Sequence, residues 1–224
     1  MIRESIRKYK CKQCFKFNRL TESNSQIGQE SFVLGVLDEV KGGFYVEIGA
    51  CEARQISNTY TLETLFSWKG ISLEIDEKKS FAFNEQRRNK CLTLDATTCD
   101  YSRVFMEAGA PAIIDYLQVD IEPPINTYKA LMKALKAGRT FRVITFEHDI
   151  YASRRNLIWK NLTWIKLKTL GYRRVATNVS NERAPMEDWY VHQSVLVPGK
   201  LKRGLDWRCY FRGPCSHYLD RALS

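Results

Sequence analysis

Acidic residues stand at the ends of successive apolar runs in this chain. Phe44 to Ile48 carries Glu47 and leads into Gly49 and Ala50; Gly70 to Ile75 ends in Glu74 with Asp76 after it; Cys91 to Leu94 is followed by Asp95 and Ala96. Short apolar runs closed by turn residues read as buried strands, and open α/β sheets bind ligands beyond the carboxyl ends of their strands. An acid ending the second strand can accept both hydroxyls of a ribose, and Asp95 can accept from an adenine amino group. Each acid alone also reads as a helix N-cap; three in order point to a ligand. Two later runs end in YLQVDIEPP and VITFEHD, which place Asp120, Glu122, Glu147, His148 and Asp149 near the same crevice. Carboxylates grouped with an imidazole can act as a general base or as oxygen ligands for a divalent cation, and the spacing leaves both open beside a plain ion-pair network.

The elements that must position these residues alternate. Strands are expected at Phe44 to Ile48, Gly70 to Ile75, Cys91 to Leu94, Ile113 to Val119, Phe141 to Glu147, Tyr172 to Asn178 and Trp189 to Val197. Helical periodicity falls between them at Ser57 to Phe66, Glu77 to Arg88, Tyr101 to Ala108, Ile125 to Lys136 and Ala152 to Leu170, and Gly138 and Gly171 stand where two of these should stop. SFVLGVLDEV, ending at Val40, reads as a further helix against the sheet. Strands joined by helices require crossovers and hence a mostly parallel α/β sheet, helices on both faces. The last two runs, with only SNERAPMED between them, predict a closing antiparallel hairpin.

At 224 residues the chain suits one domain. Its 35 Lys and Arg against 25 Asp and Glu give a formal charge of +10, which favours anionic partners, nucleic acid among them. The positive residues gather in the first 24 residues and beyond residue 197, so the expected organisation is a basic extension over 1–24, a domain over 25–197 and a basic, Cys-containing tail over 198–224. CKQC (Cys11, Cys14) and CYFRGPCSH (Cys209, Cys215) could converge on a structural zinc, whereas Cys51, Cys91 and Cys99 are expected to behave as small core hydrophobes. No apolar stretch suits a membrane span or a signal peptide, and a cytoplasmic location is the default expectation.

Taken together, SQIGQESFVLGVL (Ser25 to Leu37), GGFYVEIGACEARQISNT (Gly42 to Thr59), GISLEID (Gly70 to Asp76), LDA (Leu94 to Ala96), DYLQVDIEP (Asp115 to Pro123), VITFEHD (Val143 to Asp149) and EDWYV (Glu187 to Val191) resemble the FkbM-like family of S-adenosylmethionine-dependent methyltransferases. The resemblance implies a Rossmann-like seven-stranded methyltransferase sheet and an O-methylated sugar or small-metabolite acceptor. It implies Glu47, Gly49 and Ala50 at the cofactor's methionine end, Glu74 at its ribose and Asp95 at its adenine, with Asn58, Ile75 and Ala96 completing the cofactor-binding set. Gln26 would lie over the cofactor or acceptor pocket, and Asp120 and Glu122 beside the transferred methyl. Where the family often has Gly, this chain has Ala53, so the sign of φ there decides how well the loop can form. Two other readings compete: an RNA ribose 2′-O-methyltransferase using Asp120, Glu187 and lysines such as Lys160 and Lys166, and a non-catalytic binding module on the same fold.

Overall fold

The computed structural model describes residues 23–181 and 184–195. Cys11, Cys14, Cys209 and Cys215, with most of both basic tails, lie outside the described residues. A helix α1 (Gln29–Val36) precedes β1 (Phe44–Ile48), α2 (Tyr60–Phe66), β2 (Lys69–Glu74), α3 (Glu77–Gln86), β3 (Lys90–Thr93), α4 (Tyr101–Glu107) and β4 (Ile113–Val119). Then follow α5 (Pro124–Lys136), β5 (Thr140–Glu147), a 3-10 turn (Arg154–Asn156), α6 (Leu157–Thr169), β6 (Tyr172–Asn181) and β7 (Ala184–His192). The strands form one sheet in the order β3-β2-β1-β4-β5-β7-β6. Parallel pairing runs from β3 to β5, and β7 is antiparallel to both β5 and β6. The expected sheet, mostly parallel with a C-terminal antiparallel hairpin, is the one observed.

Strand alternation divides the core into two layers. Val46, Ile48, Leu117, Ile144, Phe146 and Tyr190 face one way and pack with α4, α5 and Leu167 of α6. Tyr45, Tyr116, Val143 and Trp189 face the other way, against Phe32, Val33 and Leu34 of α1, and the rings of Phe32 and Trp189 stack with centroids 4.5 Å apart. Asp76 and Asp100 cap α3 and α4, each accepting two backbone N–H groups, which satisfies donors that a helix start leaves unpaired. Gly138 and Gly171 take positive φ just after α5 and α6, where both helices were expected to stop.

The closing hairpin departs from the sequence expectation. Its turn is shorter than SNERAPMED, and β7 begins at Ala184 rather than Trp189, so Glu187 and Asp188 belong to a strand. The reason lies in their partners. Asp188 is fully buried and accepts from Arg174 Nη1 at 2.9 Å, Thr177 Oγ1 at 2.8 Å and the Asn178 N–H at 2.9 Å, with Lys160 Nζ 3.2 Å away. Burial would raise its pKa, but the His148 hydrogen bond and the charges of Lys160 and Arg174 outweigh that and hold the carboxyl well below the usual range. Asp188→Ala strands the buried Lys160 and leaves the half-buried Arg174 without its carboxylate, and loss of one partner of a buried pair typically costs about 3–5 kcal/mol; urea denaturation should show a destabilisation of that order.

Candidate functional site

The end of β1 and the end of β4 nearly touch. The Asp120 N–H donates to the Ile48 carbonyl at 2.9 Å, and the Gly49 and Ala50 N–H groups both donate to the Leu73 carbonyl of β2. Gly49 has φ +88, and a Cβ built there would stand 1.8 Å from the Asp120 carbonyl oxygen. Only Gly satisfies both conditions. Ala53 is not among the residues with positive φ; in this loop Cys51 (φ 47) and Ile56 (φ 49) take that conformation. Ala53 is buried with Ala50, Phe83 and Cys91. Cys51 is exposed rather than a core residue, because its left-handed backbone turns it outward beside Lys79.

Arg87, just past α3, holds this loop from behind. Its side chain is fully buried, ion-paired with Glu63 at 2.8 Å, and donates to the Ala53 carbonyl at 2.7 Å, Ser57 Oγ, Tyr45 Oη and Thr59 Oγ1. Thr59 Oγ1 and Ser72 Oγ in turn donate to Glu47 at 3.0 and 2.7 Å. Glu47 is therefore enclosed in the sheet rather than lining an open turn. Burial pushes its pKa up to about 7, against the opposing charge of Arg87. Asn58, beside this network, is buried, and its Oδ1 has no hydrogen-bond partner among the described residues.

The ends of β2 and β3 carry the next groups. Glu74 accepts the Cys51 N–H at 2.9 Å and the Asp76 N–H at 3.0 Å, one on each oxygen. Ile75 beside it is 70% exposed, an apolar surface at a strand end with nothing among the described residues folded over it. Asp95 accepts from the backbone and hydroxyl of Thr97, both at 2.7 Å, and these bonds hold its pKa below the usual range. Ala96 is buried.

Register gathers the acids on the α1 face of the sheet. Ser72, Glu47, Gln118, Thr145 and Trp189 form one row across β2, β1, β4, β5 and β7, and Glu147 stands directly opposite Glu187 in the next. Gln118 is buried with its Oε1 unpartnered among the described residues. Asp120 has its pKa pushed well up by burial and then by the negative charges of Glu187, Asp149 and Glu122. Asp149 is buried at φ 43 with Oδ1 unpartnered; burial and its contact with Glu122 raise it to about 7, while the Tyr151 hydroxyl opposes the shift. Glu187 also rises to about 7 through burial, although it accepts Gln29 Nε2 at 2.8 Å and Trp189 Nε1 at 2.6 Å. Asp149 and Glu187, raised only to about 7, keep an ionised fraction near neutral pH that can take a proton from a bound hydroxyl, whereas Asp120, pushed well up, holds its own proton.

Some expected residues lie elsewhere. His148 has no exposed surface and its Nε2 sits 3.3 Å from Asp188, on the side of the sheet away from the acids; burial lowers its pKa. Lys160 is bound up with Asp188, Thr177 and Asn178, and Lys166 is exposed on α6, so neither joins Asp120 and Glu187 in a tetrad. Gln26 falls in the bend before α1, and Gln29, three residues on, is the glutamine that contacts the cluster. Among the described residues no three His, Cys, Asp or Glu side chains form a group able to hold a metal ion, the expected cation cluster included. Sequence reasoning gave Glu187 only a loose place in the tetrad and missed Gln29; the EDWYV segment was the available signal.

No protein-family model and no curated protein sequence matches this chain. Solved structures do. An O-methyltransferase from Bacillus cereus, in complex with SAH, superposes with a TM-score of 0.54 at 15% identity over 78% of this chain and 84% of that one. A proposed O-methyltransferase from Klebsiella pneumoniae gives 0.54 at 14% identity over 77% and 82%. A proposed rRNA methylase from Clostridium thermocellum gives 0.50 at 16% over 77% and 99%. The fold is the Rossmann-like methyltransferase fold. At these identities the likeness concerns architecture, and chemistry must be argued from the side chains.

Two measurements check this site. Gly49→Ala combines a strained φ with a clash against backbone, so a loss of roughly 2–5 kcal/mol in chemical denaturation is expected. The raised acids make the folded protein hold more protons than the unfolded chain between pH 4 and 7 or so. Stability must then fall as pH rises from about 4 to about 7, by about 1.4 kcal/mol per unit for each such group, and level off for it above its folded-state pKa. His148 and His192, whose pKa values burial lowers, act in the opposite sense, two groups against the five raised acids Glu30, Glu47, Asp120, Asp149 and Glu187. Urea midpoints should decrease from pH 5 to pH 8; a rise over that range would contradict the cluster.

Proposed function

We propose that the protein is an S-adenosylmethionine-dependent methyltransferase acting on a hydroxyl of a sugar or small-metabolite acceptor. The observation that carries this reading is the succession of Gly49, Glu74, Ile75 and Asp95 along the ends of β1, β2 and β3 on a methyltransferase fold. The order matches a nucleoside with an amino-acid arm. The Gly49 turn leaves room for the methionine portion, and Asn58 Oδ1, buried and unpartnered, suits its ammonium. Each Glu74 oxygen holds one backbone N–H and keeps acceptor capacity for a ribose hydroxyl. Ile75 offers an apolar face to the base, and Asp95 with Ala96 lies where its amino group would end. When bound, the cofactor supplies an electrophilic methyl on a sulfonium.

The chain's own part is to hold the acceptor in line and remove its proton. Alignment alone can be worth about 7–11 kcal/mol. Asp149, at about 7 and paired with Glu122, is the carboxyl best matched to take a proton at neutral pH. Asp120 sits where the β1 and β4 ends converge and would orient the acceptor hydroxyl; Glu187, braced by Gln29 and Trp189, and Glu147 opposite it form the floor. A ribose 2′-hydroxyl acceptor has less support, because Lys160 is engaged with Asp188 and Lys166 lies exposed on α6.

Calorimetry with S-adenosylmethionine is the first test. Binding is expected, and Glu74→Ala should weaken it about tenfold, since hydrogen bonds to a charged group are worth roughly 1.5–3 kcal/mol. Absence of binding at millimolar ligand would leave the non-catalytic reading standing. With labelled cofactor and a panel of carbohydrate and small-metabolite acceptors, Asp149→Asn should keep cofactor affinity while transfer falls about 10²- to 10⁴-fold. The wild-type rate should rise with pH through about 7, following ionisation of that carboxyl.

A further inference from the structure

We propose that α6 docks the protein on an anionic membrane surface. The helix turns Lys160, Thr163 and Leu167 to the sheet, where all three are buried. Its opposite side presents Ile158, Leu162 and Ile165 at 56, 39 and 53% exposure. Their i, i+4, i+7 spacing makes one continuous stripe. A surface helix that packs against nothing normally carries polar residues there, so three aliphatic side chains in register call for an apolar partner.

Charge names that partner. From Pro123 to Asn181 the only acids are Glu147 and Asp149, and both belong to the site described above. Within Ile150 to Asn181 there are seven Lys and Arg and no acid. Lys160 and Arg174 are committed to Asp188, while Arg154, Arg155, Lys166 and Lys168 are exposed around the stripe. Trp164, partly exposed on the same helix, lies under two cations, with Lys168 Nζ 5.5 Å and Arg174 Cζ 5.1 Å from its ring centroid. Aliphatic residues rimmed by Lys and Arg, with a Trp at the edge, are what an interfacial helix presents to headgroups and upper acyl chains. A second copy of this face would bring like charges together. RNA would satisfy the cations but leave Ile158, Leu162 and Ile165 against water, since they neither stack on bases nor donate hydrogen bonds.

The test is vesicle co-sedimentation of the full chain, which is independent of methyl transfer. Vesicles of phosphatidylcholine with phosphatidylglycerol should bind the protein, and phosphatidylcholine alone should bind it far more weakly. The double variant Ile158→Asp, Ile165→Asp should lose about tenfold or more in vesicle affinity, and Lys166→Glu, Lys168→Glu a comparable factor. Both change only exposed positions, and unchanged urea midpoints will show that the fold is intact. The proposal is overturned if neither vesicle binds, if both double variants bind as well as wild type, so that other basic segments do the binding, or if the variants lose affinity for an RNA oligonucleotide while the vesicles bind nothing.

Discussion

The approach of the Gly49 turn to the Asp120 carbonyl sets the dimensions of the site. β1 and β4 are neighbours in the sheet, and their carboxyl ends part in different directions, one into the loop ahead of α2 and one into the turn before α5. Because 1.8 Å separates a hypothetical Cβ at position 49 from that carbonyl, the strand ends can close only around a residue without a side chain. The closure fixes how far the loop over residues 49–59 stands from the acids that follow β4. A wider gap would carry Glu74 and Asp120 apart.

Arg87 secures the same loop from the other side. A fully buried guanidinium needs several acceptors to offset its desolvation, and it finds them in Glu63, the Ala53 carbonyl, Tyr45, Ser57 and Thr59. A loop with Ala at position 53 is thereby held by a side chain rather than by the backbone freedom a glycine would bring. Ala53 suits this arrangement. It is small enough to pack under Phe83, and its backbone lies outside the left-handed region that would penalise a Cβ.

Much of the sheet could be read from local pattern. β1 over 44–48 and β4 over 113–119 fall where apolar runs predict them, since both are central strands whose hydrophobicity is continuous. The closing hairpin was legible too, but the start of its second strand was not, for the opposite reason. Pro185, Glu187 and Asp188 look like loop chemistry, and only partners distant in sequence make a strand of them: Gln29 for Glu187, Lys160 and Arg174 for Asp188. The acids ending β2 and β3 were legible because strand ends are local features. His148 was misplaced in expectation because nothing in VITFEHD says which side of the sheet an imidazole will take.

Adjacent residues Glu187 and Asp188 show how much depends on register. Alternation sends Glu187 to the α1 face, among Asp120 and Asp149, where burial and like charge raise it to about 7. It sends Asp188 to the α6 face, where His148, Lys160 and Arg174 hold it ionised. The two carboxyls are chemically near-equivalent, so the difference is entirely one of environment. A slip of one residue in the β5–β7 pairing would exchange them, placing the Asp188 carboxyl among acids and leaving Lys160 and Arg174 facing a longer side chain. The Asp188 network is thus what locks the strand in the register that delivers Glu187 to the site, and the buried charges on one face of the sheet set the chemistry available on the other.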